Sequence, residues 1–340
     1  MRLKLIFPAA MLLFLSCSDS GKRKPPDVSA IQVSLPLERF DTAFFGMDTL
    51  RLGAELQRLR TKFPAFFPDF MQQVLGVSPD PTDSMTRYVT ARFLQGYRPV
   101  QEYLQQQFRS TAGLQGELEQ AFRYVRHYFP DYPTGRITLF TGPFDAPGIA
   151  STSQGLAIGL QQYAGADYPA YQSREVQELF PIYISRRFAA PYIVPNCMKA
   201  IIADLFPDSS AGKPLIEQMV EKGKQWYLMD LLLPRTPDSL KTGFTQAQLD
   251  WCLENEGQIW TEIVRNGDLN SLNPVTIQNY IGEGPFTQGF SQEDSPGNLG
   301  QWIGWRIVGK YMEKHRETGP EALMKLAPRQ LLEEAKYKPK

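Results

Sequence analysis

The residue with the clearest chemistry is a cysteine near the start of the chain. Cys17 follows Ser16 at the end of an apolar run, 5–15, which is preceded by two basic residues. This order of positive charge, apolar run and small residue is typical of a secretory signal. A cysteine directly after the cleavage position provides a thiol that can be acylated, for example with palmitate. We predict that residues 1–16 are a signal peptide and that Cys17 is lipidated; the alternative is an ordinary secretory signal with an incidental cysteine.

Carboxylates spaced for acid–base work occur once in the second half. Glu217 and Glu221 are four residues apart, so a helix would place them on one face, where paired carboxylates can transfer protons. Lys222 and Lys224 lie beside them, and a solvated, charge-compensated helix face is therefore the favoured interpretation. With Asp204, these residues are the candidate carboxylates of an alternative hypothesis, an envelope hydrolase or peptidase.

Metal and nucleophile motifs are missing from the sequence. The two histidines, His127 and His315, lie on separate predicted helices. A helical zinc protease needs two histidines four residues apart with a glutamate between them. The sequence also has no Gly-x-Ser-x-Gly elbow, phosphate loop or dinucleotide fingerprint. We predict no catalytic residue, no metal site and no cofactor.

Aromatic residues surround a glycine-rich turn near the C-terminus and could form a binding surface. Trp302 and Trp305 are three residues apart, which predicts that they share one side of a helix. An aromatic stripe at this spacing is more often part of a core than of a groove. The alternative is a glycan-binding lipoprotein in which the rings stack on sugars. The candidate surface consists of Phe286, Phe290, Trp302 and Trp305.

Composition limits the partners. The chain has 36 basic and 36 acidic residues, and loss of the signal peptide with its two basic residues leaves 34 against 36, a net charge of −2. This balance gives no attraction to nucleic acid. Beyond Cys17, only Cys197 and Cys252 remain; the sequence leaves open whether they pair in a disulfide or are two buried thiols.

The same patterns predict how the chain is anchored. The apolar run 5–15 is shorter than the roughly 20 residues that span a bilayer, and no later run approaches that length. Residues 17–30 begin with polar and turn-forming residues, a composition typical of a flexible tether. We therefore expect a lipidated tether over 17–30 and a single globular domain over 31–340, held at a membrane rather than passing through it.

Hydrophobic periodicity predicts an α+β fold that is mainly helical. Alternation predicts a strand at 31–35, and the helical pattern of 49–129 predicts four or five helices. Alternation returns over 136–160, which predicts a hairpin or small sheet. Helix breaks are expected at Pro64, Pro68, Pro79, Pro81 and Pro99.

The second half is predicted to be helical again. The clearest helices are expected at 197–206, 214–233 and 245–266. Thr245 and Gln248 have the spacing of a capping box at the start of the third. A loop over 282–300 should precede a long amphipathic helix that carries Trp302.

An ordered set of short motifs resembles the GldB-type gliding-motility lipoproteins of Bacteroidetes over nearly the whole mature chain. No single motif is specific, but their order is. The set consists of Leu37-Glu38-Arg39-Phe40-Asp41, Phe63-Pro64-Ala65-Phe66-Phe67-Pro68, Pro191-Tyr192, Asn196-Cys197-Met198-Lys199, Trp251, Glu254-Asn255-Glu256, Trp260, Gly284-Pro285-Phe286-Thr287, Ser295-Pro296-Gly297 and Trp302-Ile303-Gly304-Trp305.

That family is similar in turn to zincin-type metallopeptidases, in which a small sheet precedes the zinc helix and a further helix supplies a glutamate. The resemblance implies a zincin-like helical domain with a small β-sheet. It places the zinc ligands near residues 196–200, where no histidine stands, and makes Glu221-Lys222-Gly223 a remnant of the glutamate helix. It therefore implies a degenerate metallopeptidase that has lost its metal centre and is not an enzyme.

The resemblance to the GldB family also implies a cellular role. It implies participation in gliding motility and, by association, in type IX protein secretion, through contacts with other proteins of that machinery. The expected location is the cell envelope, with the lipid anchor in the outer membrane and the folded part facing the periplasm.

Overall fold

A computed structural model describes residues 24–339. The predicted signal peptide and Cys17 lie outside the described residues. The described residues are 59% helix and 6% strand, which confirms the prediction of a mainly helical protein with one small sheet.

Four strands form that sheet in the order β1-β2-β4-β3. Strands β1, β2 and β4 are parallel to one another, and β3 runs antiparallel to β4 at one edge. Their bounds are β1 Leu37–Arg39, β2 Arg136–Phe140, β3 Ile149–Thr152 and β4 Gly155–Gly159. The prediction of a hairpin or small sheet over 136–160 is thus confirmed.

The strand predicted at 31–35 is wrong, because the chain becomes regular only at Leu37. The backbone of Leu35 is engaged elsewhere. Its N–H donates to the Glu119 carboxylate at 3.2 Å, and its carbonyl accepts from the Gln115 side chain at 3.0 Å. Side chains of a neighbouring helix therefore satisfy backbone groups that a sheet would otherwise pair.

Helices fill the region between β1 and β2, as predicted. Two predicted breaks are wrong: Pro99 lies inside α4, and Pro68 lies inside the short α3. Both halves of α4 are buried, with Phe93 before the proline and Leu104 after it, so packing on both sides offsets the lost backbone hydrogen bond. The bounds are α1 Phe40–Phe45, α2 Leu52–Lys62, α3 Phe66–Asp69, α4 Ser84–Gln107 and α5 Ala112–Tyr128.

The remainder is helical, and the single helix predicted over 245–266 is two helices that meet at Asn255. The capping box of Thr245 and Gln248 is confirmed. The bounds are α6 Arg174–Leu179, α7 Ile182–Ser185, α8 Ile193–Leu205, α9 Leu215–Leu232, α10 Asp238–Thr242, α11 Gln246–Glu254, α12 Glu256–Arg265, α13 Pro274–Ile281, α14 Leu299–Lys314, α15 Pro320–Lys325 and α16 Pro328–Ala335.

The described residues bury three hydrophobic clusters. Alternate strand residues point to opposite faces of the sheet, so Ile137 and Ile158 join the cluster with α5 and α8, whereas Phe140 and Ala157 join the phenylalanine-rich cluster with α1–α4. A third cluster lies between α9, α14 and the C-terminal helices. Helix α9 contributes residues to the first and third clusters and so connects the two halves.

The closest helix contact is between α9 and α14, and glycines permit it. A Cβ on Gly304 would overlap the Met219 carbonyl oxygen, and a Cβ on Gly223 would overlap the backbone of Gly304. The Gly304 of the Trp302–Trp305 motif and the Gly223 of Glu221-Lys222-Gly223 thus serve the same packing contact.

Within residues 24–339, no helix is both long enough and apolar enough to cross a membrane.

Candidate functional site

The carboxylates predicted as alternative catalytic residues each have their own partner. Glu217 accepts from Arg329 at 2.6 Å, and Glu221 lies 3.2 Å from Lys224. Asp204 hydrogen-bonds to Tyr132. Across residues 24–339, no three His, Cys, Asp or Glu side chains lie close enough together to hold a metal ion.

The four residues of the predicted aromatic surface differ in how deeply they are buried. Trp302 is 1% exposed and belongs to the core, so its ring is not available to stack on a ligand. The Trp305 indole N–H donates to Asp230 at 2.7 Å. Phe290 contacts the edge of Trp251 at 6.4 Å between centroids. Phe286, Phe290 and Trp305 are partly exposed, and Phe290 and Trp305 pack against the cluster that contains Trp302.

The two described cysteines are free and buried. Cys197 belongs to the sheet cluster and Cys252 to the C-terminal cluster. Burial raises the pKa of both thiols, which makes them poor nucleophiles at neutral pH. The question that the sequence left open is answered in favour of two buried thiols.

The face of α8 where the zincin resemblance places metal ligands is occupied by other polar side chains. Asn196 donates to the Tyr163 hydroxyl at 3.1 Å. One turn along, Lys199 makes no hydrogen bond or ion pair within the described residues. Burial, and next the positive charge of Arg187, lower the pKa of Lys199 to about 8. Glu283 opposes that shift.

Arg187 and Glu283, whose charges both act on Lys199, line a space that we call the cationic cleft. The cleft has a volume of about 40 Å³ and is lined by residues of the α7 end, the α10–α11 junction and the loop before α14. Its polar lining includes Arg186, Arg187, Gln248, Glu283 and Asn298. Two basic side chains and one carboxylate therefore line the cleft, and Lys199 adds a third positive charge near them.

The two arginines are held in different ways. Arg187 makes a two-pronged contact with Glu283, with N–O distances of 3.3 and 3.0 Å. Arg186 donates from Nη2 to the Gly243 carbonyl at 2.8 Å, and its pKa is lowered by burial. Gly243 has φ +80°, and a Cβ there would lie 2.8 Å from Arg187 Nη1, so glycine gives Arg187 its room. The Arg186 charge has no carboxylate of its own in the described part of the chain.

The part of the cleft that precedes α14 is formed by the two loop motifs, Gly284–Thr287 and Ser295–Gly297. A Cβ on Gly297 would overlap the Gly284 carbonyl oxygen, so the two motifs meet backbone to backbone. The buried Thr287 hydroxyl donates to the Pro296 carbonyl at 2.9 Å and accepts from the Leu299 N–H at 3.3 Å. These contacts hold the backbone on both sides of Asn298, which follows Gly297.

Asn298 is the N-cap residue of α14 and has φ 49° and ψ 34°. Its side chain lines the cleft but does not cap the helix. It is 5% exposed, and its Oδ1 is buried without a hydrogen-bond partner among residues 24–339. Such a group costs roughly 1–3 kcal/mol unless something bonds to it, so its place in a cleft indicates a position for a ligand or water.

Sequence reasoning did not find Arg186, Arg187, Lys199 or Asn298 as a site. They come from three separate segments, and their proximity depends on how the loops fold. The sequence did contain one indication of the site. The two loop motifs carry glycines and prolines that a solvent-exposed loop does not require.

A sequence model of the family described as gliding motility protein GldB matches residues 21–339. No curated protein and no solved structure matches the chain.

Proposed function

Because the chain belongs to the GldB family of gliding motility proteins, we propose that it is a non-catalytic envelope lipoprotein that supports gliding through contacts with other proteins. The observation that carries the proposal is the extent of the family match, residues 21–339, which includes the sheet, the three hydrophobic clusters and the cationic cleft. We propose type IX protein secretion as the process in which the same contacts take part.

The contacts of the candidate carboxylates support the non-catalytic part. A general acid or base needs a free carboxyl within reach of a substrate. Glu217 and Glu221 are in ion pairs, and Asp204 is hydrogen-bonded to a tyrosine. The partly exposed Phe286 and Phe290 are what remains for the alternative of glycan binding, because Trp302 is in the core.

A zincin-like ancestry is part of the proposal. The edge strand β3 is antiparallel to its neighbour and contacts α8, and α9 follows, which is the order that the resemblance implies. Glu221 faces Lys224, whose ammonium also donates to the Leu326 carbonyl at 2.6 Å. Lys224 therefore links Glu221 to the C-terminal helices.

For the location, we propose a lipid anchor on Cys17 in the outer membrane, with the folded part facing the periplasm. Cys17→Ala should leave the fold intact and release the protein from the membrane fraction. Labelling cells with a palmitate analogue and fractionating them measures both effects. A variant that still sediments with membranes, together with a wild type that takes up no label, would contradict the anchor.

Gene deletion tests the role itself. Deletion in the host should reduce colony spreading and the secretion of surface proteins, and wild-type complementation should restore both. Complementation with the exposed-surface control Arg58→Gln should restore them equally. Normal spreading and normal secretion in the deletion strain would refute the role in gliding and secretion.

A metal measurement tests the non-catalytic part. Protein purified without added metal should contain less than about a tenth of an equivalent of zinc, because carboxylates without imidazole or thiolate bind zinc weakly. Chelator should leave the melting temperature unchanged. One tightly held equivalent, with peptidase activity that chelator abolishes, would replace this proposal with the enzyme alternative.

A further inference from the structure

The cationic cleft has unmet hydrogen-bonding and charge requirements of two kinds. It has an excess of positive charge, since Arg187 is paired with Glu283 while Arg186 has no ion-pair partner in the described residues. Lys199, whose charge interacts with Arg187 and Glu283, adds a further cation nearby. The cleft also contains a buried acceptor without a donor, Asn298 Oδ1. A ligand that fits must bring a negative group and an N–H or O–H donor close to it.

We propose that the cationic cleft binds the C-terminal end of a peptide chain. A terminal carboxylate would accept from the Arg186 guanidinium, and the amide N–H next to it would donate to Asn298 Oδ1. The inference rests on the proposed role in protein contacts and names the part of a partner that this site would hold.

The surroundings of the cleft favour a carboxylate. Helix α14 begins at the residue after Asn298 and extends for 16 residues, and the N-terminus of a helix attracts anions. Arginine matches a carboxylate with two parallel hydrogen bonds. The volume of about 40 Å³ is far below that of small-molecule sites, so the cleft would admit only the terminal group of a longer chain.

A phosphate group fits less well, which makes it a useful competitor. Near neutral pH a phosphate monoester is mostly a dianion, with acceptor oxygens and few donors. It would satisfy the arginine but leave Asn298 Oδ1 without a partner. A peptide end satisfies both because its last amide nitrogen is bonded to the Cα that carries the carboxylate.

Calorimetric titration of the mature chain, carrying Cys17→Ala so that no detergent is needed, tests the proposal. The probes are N-acetyl-Ala-Ala, the same dipeptide with a C-terminal amide, and methyl phosphate, a phosphate monoester. The free acid should bind with a Kd of about 1 mM or below, as expected for a ligand of this size. The amide and phosphate should each bind about tenfold more weakly or worse.

Two variants locate the binding. Asn298→Asp keeps the shape and tolerates the same backbone conformation, but its charge should repel the carboxylate and abolish detectable binding. Lys199→Met should weaken binding several-fold, whereas Lys310→Met, which changes an exposed lysine of α14, should not.

The contrary results are equally specific. An amide or phosphate that binds as well as the acid would overturn the assignment to a peptide end. Free acid that does not bind, or variants that keep wild-type affinity, would overturn the site. None of these results would touch the gene-deletion test, so failure of this inference and failure of the proposed function are distinguishable.

Discussion

The α9–α14 contact and the cationic cleft are both built from glycines in the family motifs, yet they meet opposite requirements. At the helix contact, Gly223 and Gly304 bring two backbones together without leaving space. At the cleft, Gly284 and Gly297 bring two loops together in the same way, but an open space remains beside them. The same residue type therefore closes one region and opens the other.

The buried polar groups separate the two regions further. Lys224 on α9 is fully buried, but it has Glu221 and two backbone carbonyls as partners. Lys199 at the cleft has no such partner within residues 24–339. Of the five buried side-chain atoms without a partner in that range, two belong to Ser295 and Asn298. Buried polar groups that have all their hydrogen-bond partners indicate a structural contact. A buried polar group without a partner indicates a candidate ligand site.

The largest expected effect is at the helix contact. Gly304→Ala should lower the free energy of unfolding by about 4 kcal/mol or more, because the methyl group overlaps a backbone oxygen that cannot move without separating two helices. Denaturant titration measures it. The matched control in the same helix is Gly309→Ala, where a Cβ meets nothing within 4 Å and stability should rise by about 0.5–1 kcal/mol. Equal effects of the two variants would contradict the close contact.

The next effect concerns the satisfied lysine. Lys224→Met should cost about 2–3 kcal/mol, because it leaves Glu221 and the Leu326 carbonyl without their donor. We place the value below that of a fully buried ion pair because Glu221 keeps some contact with solvent. Denaturant titration at neutral pH checks it. A stability unchanged from wild type would mean that the pairing of Lys224 is not what distinguishes the two regions.

Lys199→Met should act in the opposite direction and stabilise the protein at pH 7 by about 1–2 kcal/mol, since it removes a cation that burial and Arg187 disfavour. The folded pKa of about 8 is below the ordinary 10.5, so the cost is fully present below pH 8. It is lost as pH rises toward 10.5. The stability gap between variant and wild type should therefore narrow over that interval. A constant gap would contradict the shifted pKa.

The smallest expected effect is that of Asn298→Asp, which should change stability by less than about 1 kcal/mol. The helix N-terminus and the neighbouring arginines favour the new charge, and this offsets its loss of solvent. Thermal melts compared with wild type measure it. A loss of several kcal/mol would show that Asn298 is a structural residue and would weaken the contrast between the two regions.

Local patterns predicted much of the fold. The amphipathic period of 299–314 and the capping box at Thr245 depend on neighbours within four residues, so they can be recognised without the rest of the chain. The strand predicted at 31–35 failed because side chains of Gln115 and Glu119, about 80 residues away, take its backbone groups. Pro99 failed as a break because packing of the flanking turns outweighs its local cost.

The site was harder to predict for the same reason. Arg186, Lys199 and Asn298 are far apart in sequence, and none has a neighbour that indicates its role. The aromatic candidates were visible because they are clustered in sequence, but Trp302 is in the core. Sequence spacing places two residues on the same face of a helix, whereas only tertiary contacts decide whether that face is buried.

The positions of Cys197 and Cys252 give each half of the molecule its own reporter of opening. One thiol is in the sheet cluster and the other in the C-terminal cluster, and both are shielded. A shielded thiol reacts with a labelling reagent only during transient exposure, so its rate of modification follows the local opening equilibrium. If α9 couples the two clusters into one cooperative unit, both thiols will be modified at a common rate; if it does not, the halves open independently and the rates will differ.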